Sequence, residues 1–162
     1  MQARPREAVV NIYVASSWRN QYQPEVVRFL RDMDCEVYDF RNPPNRSGFG
    51  WEQINGDWKS WTTAQYREAL AHPIAQAGYA ADIGAVRACD ACLLVLPSGR
   101  SASWEFGYAM GQGKAGAVLQ FEHQEPELMY SEAAILGSLS ELATWVEAAV
   151  SAARVAGKET KP

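Results

Sequence analysis

The chain has 162 residues, 48% of them hydrophobic, with a formal net charge of −4 and a pI near 5.2. That length and apolar content suit one domain around one core. The acidic balance excludes a protein that binds nucleic acid chiefly by neutralising phosphates, which needs a basic stripe. No apolar run reaches the roughly 20 residues of a membrane-spanning helix, and residues 1–7 lack the apolar core of a signal peptide, so a cytoplasmic location, no membrane and a small-molecule partner are expected.

Residues 9–15 are rich in β-branched side chains and stop at Ser16 and Ser17, which predicts a buried first strand. Pro24 then opens a helix with Val26, Val27, Leu30 and Met33 on one face. A second strand over 35–40 is halted by Asn42-Pro43-Pro44. Residues 45–61 turn to Gly, Asn and aromatic side chains, including Phe49, Trp51, Trp58 and Trp61, and read as a long functional loop leading into a helix over 58–70. A further helix over 73–88, with Ile74, Ala77, Ala81, Val86 and Ala88 as its inward positions, delivers the chain to a central strand over 91–96.

Beyond the turn at 97–101, a helix is expected over 102–113 and a strand over 115–121, because Gly113-Lys114 is a plausible helix stop. One helical turn over 127–130, a short edge strand over 133–136 and a last helix complete the chain. Ser138 or Ser140 would cap that helix, and Leu142, Trp145, Val146 and Val150 would face inward, with residues 157–162 frayed.

Alternating strands and helices imply a parallel sheet covered on both faces, a flavodoxin- or Rossmann-like three-layer α/β sandwich with five strands in the order 2-1-3-4-5. Ligands in such folds lie beyond the carboxyl ends of the strands where the order reverses. That point brings 13–18, with Ser16, Ser17 and Trp18, beside 97–105.

The three cysteines, Cys35, Cys89 and Cys92, cannot form a complete disulfide framework. Cys89 and Cys92 have redox or zinc spacing but lack a second pair, and with His72 and His123 in no ligand pattern, buried thiols without a metal are expected.

The segment Leu96-Pro97-Ser98-Gly99-Arg100-Ser101-Ala102-Ser103-Trp104-Glu105 joins a tight turn, hydroxyls and an arginine directly before a helix. Unpaired amide groups and the helix dipole there favour a phosphate or carboxylate. The same serines can simply cap the helix, and capping and ligand binding are compatible. Glu105, placed in the first turn, would be kept ionised and able to act as nucleophile or to stabilise an oxocarbenium-like centre. Gly107 and Gly111, one turn apart, would permit close packing on the sheet.

Residues 12–15, Asp82-Ile83 with Asp90 eight residues further on before a strand, and the Ser/Gly turn leading to Glu105-Phe106-Gly107-Tyr108-Ala109 and Gly113-Lys114 together resemble the nucleoside 2-deoxyribosyltransferase-like superfamily over most of the chain. The resemblance implies one such domain over 1–162 that needs no cofactor. It implies Glu105 as the nucleophile at the anomeric carbon, Asp82 as the group that protonates or orients the departing base, and Tyr13 as the residue orienting the nucleophile.

An acidic residue that the family's transferases carry upstream of the glutamate is absent here, where Ser98-Gly99-Arg100-Ser101 stands. With Ser103, these residues favour a phosphorylated sugar, and hence an N-glycosidase acting on a nucleoside or deoxynucleoside 5'-monophosphate. Trp51 and its loop would stack on the base. A base-exchanging transferase, a TIR-like NAD glycohydrolase and a noncatalytic nucleotide sensor stay open as alternatives. A homodimer or higher homo-oligomer is expected, since sites in the related enzymes form at dimer contacts.

Overall fold

The computed structural model describes residues 9–159. Its strands are β1 (Asn11–Ala15), β2 (Glu36–Asp39), β3 (Ala91–Val95), β4 (Ala115–Leu119) and β5 (Ala134–Leu136). Its helices are α1 (Gln23–Asp32), α2 (Thr63–Leu70), α3 (Pro73–Ala88), α4 (Arg100–Gly111) and α5 (Leu139–Glu159), with single 3-10 turns at Trp51–Gln53, Trp58–Ser60 and Leu128–Glu132. All pairings are parallel and the order is β2-β1-β3-β4-β5, as the alternating pattern predicts.

The period-two alternation of strand side chains divides the core in two. Ile12, Val14, Leu93, Val95, Ala117 and Leu119 point to one face, under Val26, Val27 and Leu30 of α1 and Leu142 and Val146 of α5. Tyr13, Ala15, Cys92, Leu94 and Val118 point to the other, under Val86 of α3 and Ala102, Phe106 and Ala109 of α4. Gly116 of β4 lets α4 approach, because a side chain there would collide with Met110 and Phe106.

Local chemistry explains most boundaries. Thr62 and Gln65 form a reciprocal capping box at α2, which splits the helix expected over 58–70 into a 3-10 turn and α2. His72 Nδ1 accepts from the Ile74 amide at the start of α3, so this histidine caps a helix. Ser138 Oγ accepts from the Glu141 amide and the Glu141 carboxylate accepts from the Gly137 amide, which opens α5. Helix α4 ends where Gly113, at φ +75°, takes the left-handed conformation and the Lys114 amide donates back to the Ala109 carbonyl.

Three expectations are corrected. The inward face of α3 is Ala75, Gly78, Ile83 and Val86, with Phe49 of the long loop packed close on Gly78; of the residues expected inward only Val86 is fully buried. Gly107 and Gly111 are exposed, and a side chain at either would meet nothing, so Gly116 is the close-packing glycine on this side. The first residue before α4 is Gly99, in extended conformation, and no side chain caps the helix; Ser103 Oγ instead donates to the Gly99 carbonyl at 3.3 Å. Helix α5 runs to Glu159, and residues 1–7 and 160–162, expected with 157–159 to be frayed, lie outside the described residues.

Candidate active site

The carboxyl ends of β1 and β3 are tied together by side chains. Ser16 Oγ donates to the Val95 carbonyl at 2.9 Å, and Asn20 Nδ2 donates to the carbonyls of Val95 and Pro97 at 3.1 and 3.0 Å. The Asn20 side-chain oxygen accepts from the amides of Tyr22 and Gln23, so one buried side chain also starts α1. Arg41 Nη2 donates to the carbonyls of Ser17, Trp18 and Asn20, and its guanidinium lies beside the rings of Trp18 and Phe40. The buried Asp39 carboxylate accepts from Gln23 Nε2, the Arg41 amide and Asn42 Nδ2, which satisfies it at the end of β2.

Above these ends opens a cleft of about 540 Å³, within the roughly 300–1,000 Å³ of small-molecule sites. Glu105 and Asp82 both face it, as do Ser16, Trp18, Trp51 and Ser101. Tyr13 lies fully buried below, stacked on Tyr38 with ring centroids 5.4 Å apart, as the register that pairs the two residues requires. Ser17 is taken up by local contacts: its hydroxyl accepts from the Arg19 amide. Ser98, Gly99, Arg100 and Ser103 do not line the cleft, so of the expected anion-binding group the structure brings Ser101 alone to it. A smaller cleft of about 330 Å³ beyond β4 and β5, lined by Gln120, His123, Tyr130 and Ile135 among others, includes none of these residues.

Glu105 lies in the second turn of α4, since the helix begins at Arg100, and burial pushes its carboxyl up to about 7. Ionisation by the helix terminus is therefore corrected: desolvation outweighs everything else, the Tyr13 hydroxyl opposes it, and the charge of Asp82 adds to it. The Tyr13 hydroxyl completes no well-formed hydrogen bond, yet Glu105 is the side chain it addresses. Asp82 is also raised by burial, against the pull of a 2.7 Å hydrogen bond from Tyr38 Oη and of the nearby Arg46 charge. Both tyrosine hydroxyls are raised, first by burial and then by the carboxylates, so each stays a donor at ordinary pH.

Phe49 and Trp58 reach the lining as members of the aromatic loop expected to wall the base, whereas the residues missed from sequence are Arg19, Phe40 and Glu52 in the lining, and Tyr38 and Arg46 behind Asp82. Tyr38 was within reach, because a parallel pairing of 9–15 with 35–40 sets it beside Tyr13. Glu52 and Arg46 depend on the path of the long loop. Within that loop Trp51 packs edge-on against Phe49, Trp61 and Tyr66 and still faces the cleft, so it is both a loop core and a wall.

Cys89 and Cys92 are buried and free, and no group of three or more His, Cys, Asp or Glu placed to hold a metal occurs among the described residues. Nor is any helix among them long and apolar enough to cross a membrane. What the site offers is a pair of desolvated carboxyls in an aromatic-walled cleft. Such a pair divides naturally into an ionised member, suited to attack or stabilise a cationic centre, and a protonated one, suited to a leaving group.

No protein-family model matches the chain, and neither does any curated protein sequence. Among solved structures, the 2-deoxyribosyltransferase of Bacillus psychrosaccharolyticus is similar over 84% of this chain and 96% of its own, with a TM-score of 0.53 and 18% identity. The two share a fold, an α/β sandwich which in this chain is built on a five-stranded parallel sheet. The CMP N-glycosidase of Clostridium botulinum aligns over 85% of this chain and 98% of its own, with a TM-score of 0.45 and 14% identity.

Proposed function

We propose that the protein is an N-glycosidase that hydrolyses the base–sugar bond of a nucleoside or deoxynucleoside 5'-monophosphate. The observation that carries this reading is the convergence of Glu105 and Asp82, both desolvated, on one cleft walled by aromatic side chains. In the protonation state with Glu105 ionised and the shared proton on Asp82, the Glu105 carboxylate attacks the anomeric carbon as the bond to the base breaks, and the base leaves with that proton. Water then adds at the same carbon, gives its proton to the Asp82 carboxylate and frees Glu105 from the glycosyl ester. In this reading the Tyr13 hydroxyl, which addresses Glu105 from below, closes on its carboxylate as that ionises, and Tyr38 holds Asp82 from behind.

The phosphate finds Ser101 and Arg19 in the lining, beside the N-terminus of α4, whose first amides have no side-chain cap. Ser98, Gly99, Arg100 and Ser103 belong to the same turn and helix start and remain part of this proposal. The fold likeness to a 2-deoxyribosyltransferase supports chemistry at an anomeric carbon.

The test is base release from a panel of nucleoside and deoxynucleoside 5'-monophosphates, with free nucleosides and NAD alongside. The native protein should release base from a monophosphate, and Glu105→Gln should lower the rate by at least about 10³-fold. Adding a second free base separates hydrolysis from base exchange. Binding of a mononucleotide without any release would overturn the reading in favour of a sensor.

A further inference from the structure

We propose that Glu52 reads the base, and that the base it selects presents two adjacent N–H donors on one edge, which makes a guanine mononucleotide the preferred substrate. The inference rests on the cleft being a nucleotide site and adds the specificity that the reaction itself leaves open.

A base in this cleft meets the rings of Trp18, Phe40, Phe49, Trp51 and Trp58. Stacking on such a wall holds any base, because every base has a π-face, so it cannot discriminate among them. Discrimination needs a polar group within the wall. Of the loop residues that line the cleft, Gly48, Phe49, Gly50, Trp51, Glu52 and Trp58, Glu52 alone carries a charge and alone brings a side-chain acceptor. Its carboxylate makes no hydrogen bond or ion pair among the described residues, so both oxygens are open to a ligand.

The carboxylate is also placed. A side chain built on Gly50 would collide with the Glu52 carboxyl atoms, so Glu52 folds back over Gly50 along the cleft wall. The turn beneath it is fastened by Gln53 Nε2, which donates to the Gly48 carbonyl at 2.9 Å, and by Gly48 itself, where a side chain would strike the Trp18 ring.

An ionised carboxylate only accepts, and its two oxygens match a fork of parallel donors. Guanine offers that fork in its ring N1–H and exocyclic amine. Hypoxanthine keeps the N1–H and lacks the amine. Adenine and cytosine set a single amine beside a ring acceptor, and uracil sets its N–H between two carbonyls, all of which a carboxylate meets with one bond or with repulsion.

Two variants isolate the group. Glu52→Gln keeps the shape and replaces one acceptor by a donor. Gly50→Ala leaves Glu52 in the chain but evicts its carboxyl from over the turn, and the extended backbone at Gly50, φ −143° and ψ 143°, admits alanine.

Quenching of tryptophan fluorescence reports binding whether or not the base is released, so titrations use guanosine, inosine, adenosine and cytidine 5'-monophosphates. The native protein is expected to bind the guanine nucleotide roughly tenfold more tightly than the other three. Glu52→Gln and Gly50→Ala should bring the four within about twofold of one another by weakening the guanine nucleotide alone. A native protein without that preference, or a preference that survives Glu52→Gln, overturns the assignment. Preference in binding with no base release from any nucleotide leaves the assignment standing and removes the N-glycosidase reading. Release without preference does the reverse, and failure to bind any mononucleotide removes both.

Discussion

The two faces of this sheet are built from the same strands and differ in what they bury. Under α1 and α5 the strands present Ile12, Val14, Leu93, Val95, Ala117 and Leu119, an apolar layer. Under α3 and α4 the same strands present Tyr13 and Cys92 among apolar neighbours, with the Glu105 carboxyl and an unpartnered Tyr13 hydroxyl drawn into that layer. Burying a polar group without a well-formed partner costs about 1–3 kcal/mol. One face therefore stabilises the fold while the other holds strained ionisations, and substitutions on the two should differ in sign as well as size.

The largest effect is expected on the apolar face. Leu93→Ala should lower unfolding free energy by about 3–5 kcal/mol in a denaturant titration, since Leu93 has no exposed surface and the fixed strands on either side cannot close the cavity. A loss under 1 kcal/mol, a bound set by ordinary surface substitutions at roughly 0.5 kcal/mol, would show that this face does not dominate stability.

Next in size is the opposite effect at Glu105. Its carboxyl is raised from 4.5 to about 7, so the folded state holds a proton that the unfolded state gives up between those values. That contribution to stability is complete below pH 4.5 and is lost as pH rises through 7, by roughly 3 kcal/mol at most. Glu105→Gln cannot titrate and should remove this fall from a plot of Tm against pH. A fall that persists in the variant would place its origin elsewhere. The rate of base release should rise with an inflection near pH 7 as the nucleophile ionises.

The smallest effect sharpens the roles within the polar face. Tyr38→Phe removes the hydrogen bond that favours the Asp82 carboxylate, so Asp82 is raised further and the limb of the pH–rate profile that it governs moves to higher pH. The accompanying loss in kcat is expected to be about tenfold. An unmoved limb with the same loss in rate would make Tyr38 a packing residue only.

Most of the fold was legible because its signals are local. The runs at 9–15 and 91–96 announce buried strands, and Gly113 supplies the left-handed stop that ends α4. The chain positions of Glu105 and Asp82 were legible through a motif, but not their electrostatics. Placing α4 two residues later made Glu105 a first-turn residue, and the desolvation that raises it comes from side chains distant in sequence. The places of Glu52 and Arg46, and the packing of the loop on α3, follow from how residues 41–61 fold back, with Phe49 on Gly78 and Arg46 donating to the Ala77 carbonyl. Nothing periodic in an aromatic, glycine-rich loop records that path.

Arg41 has a consequence for the thermodynamics of ligand entry. One guanidinium fastens three carbonyls of the β1–α1 connection, those of Ser17, Trp18 and Asn20, and lies beside the Trp18 indole, which is 54% exposed at the cleft. That indole is oriented before any ligand arrives, so binding against it forfeits little conformational entropy.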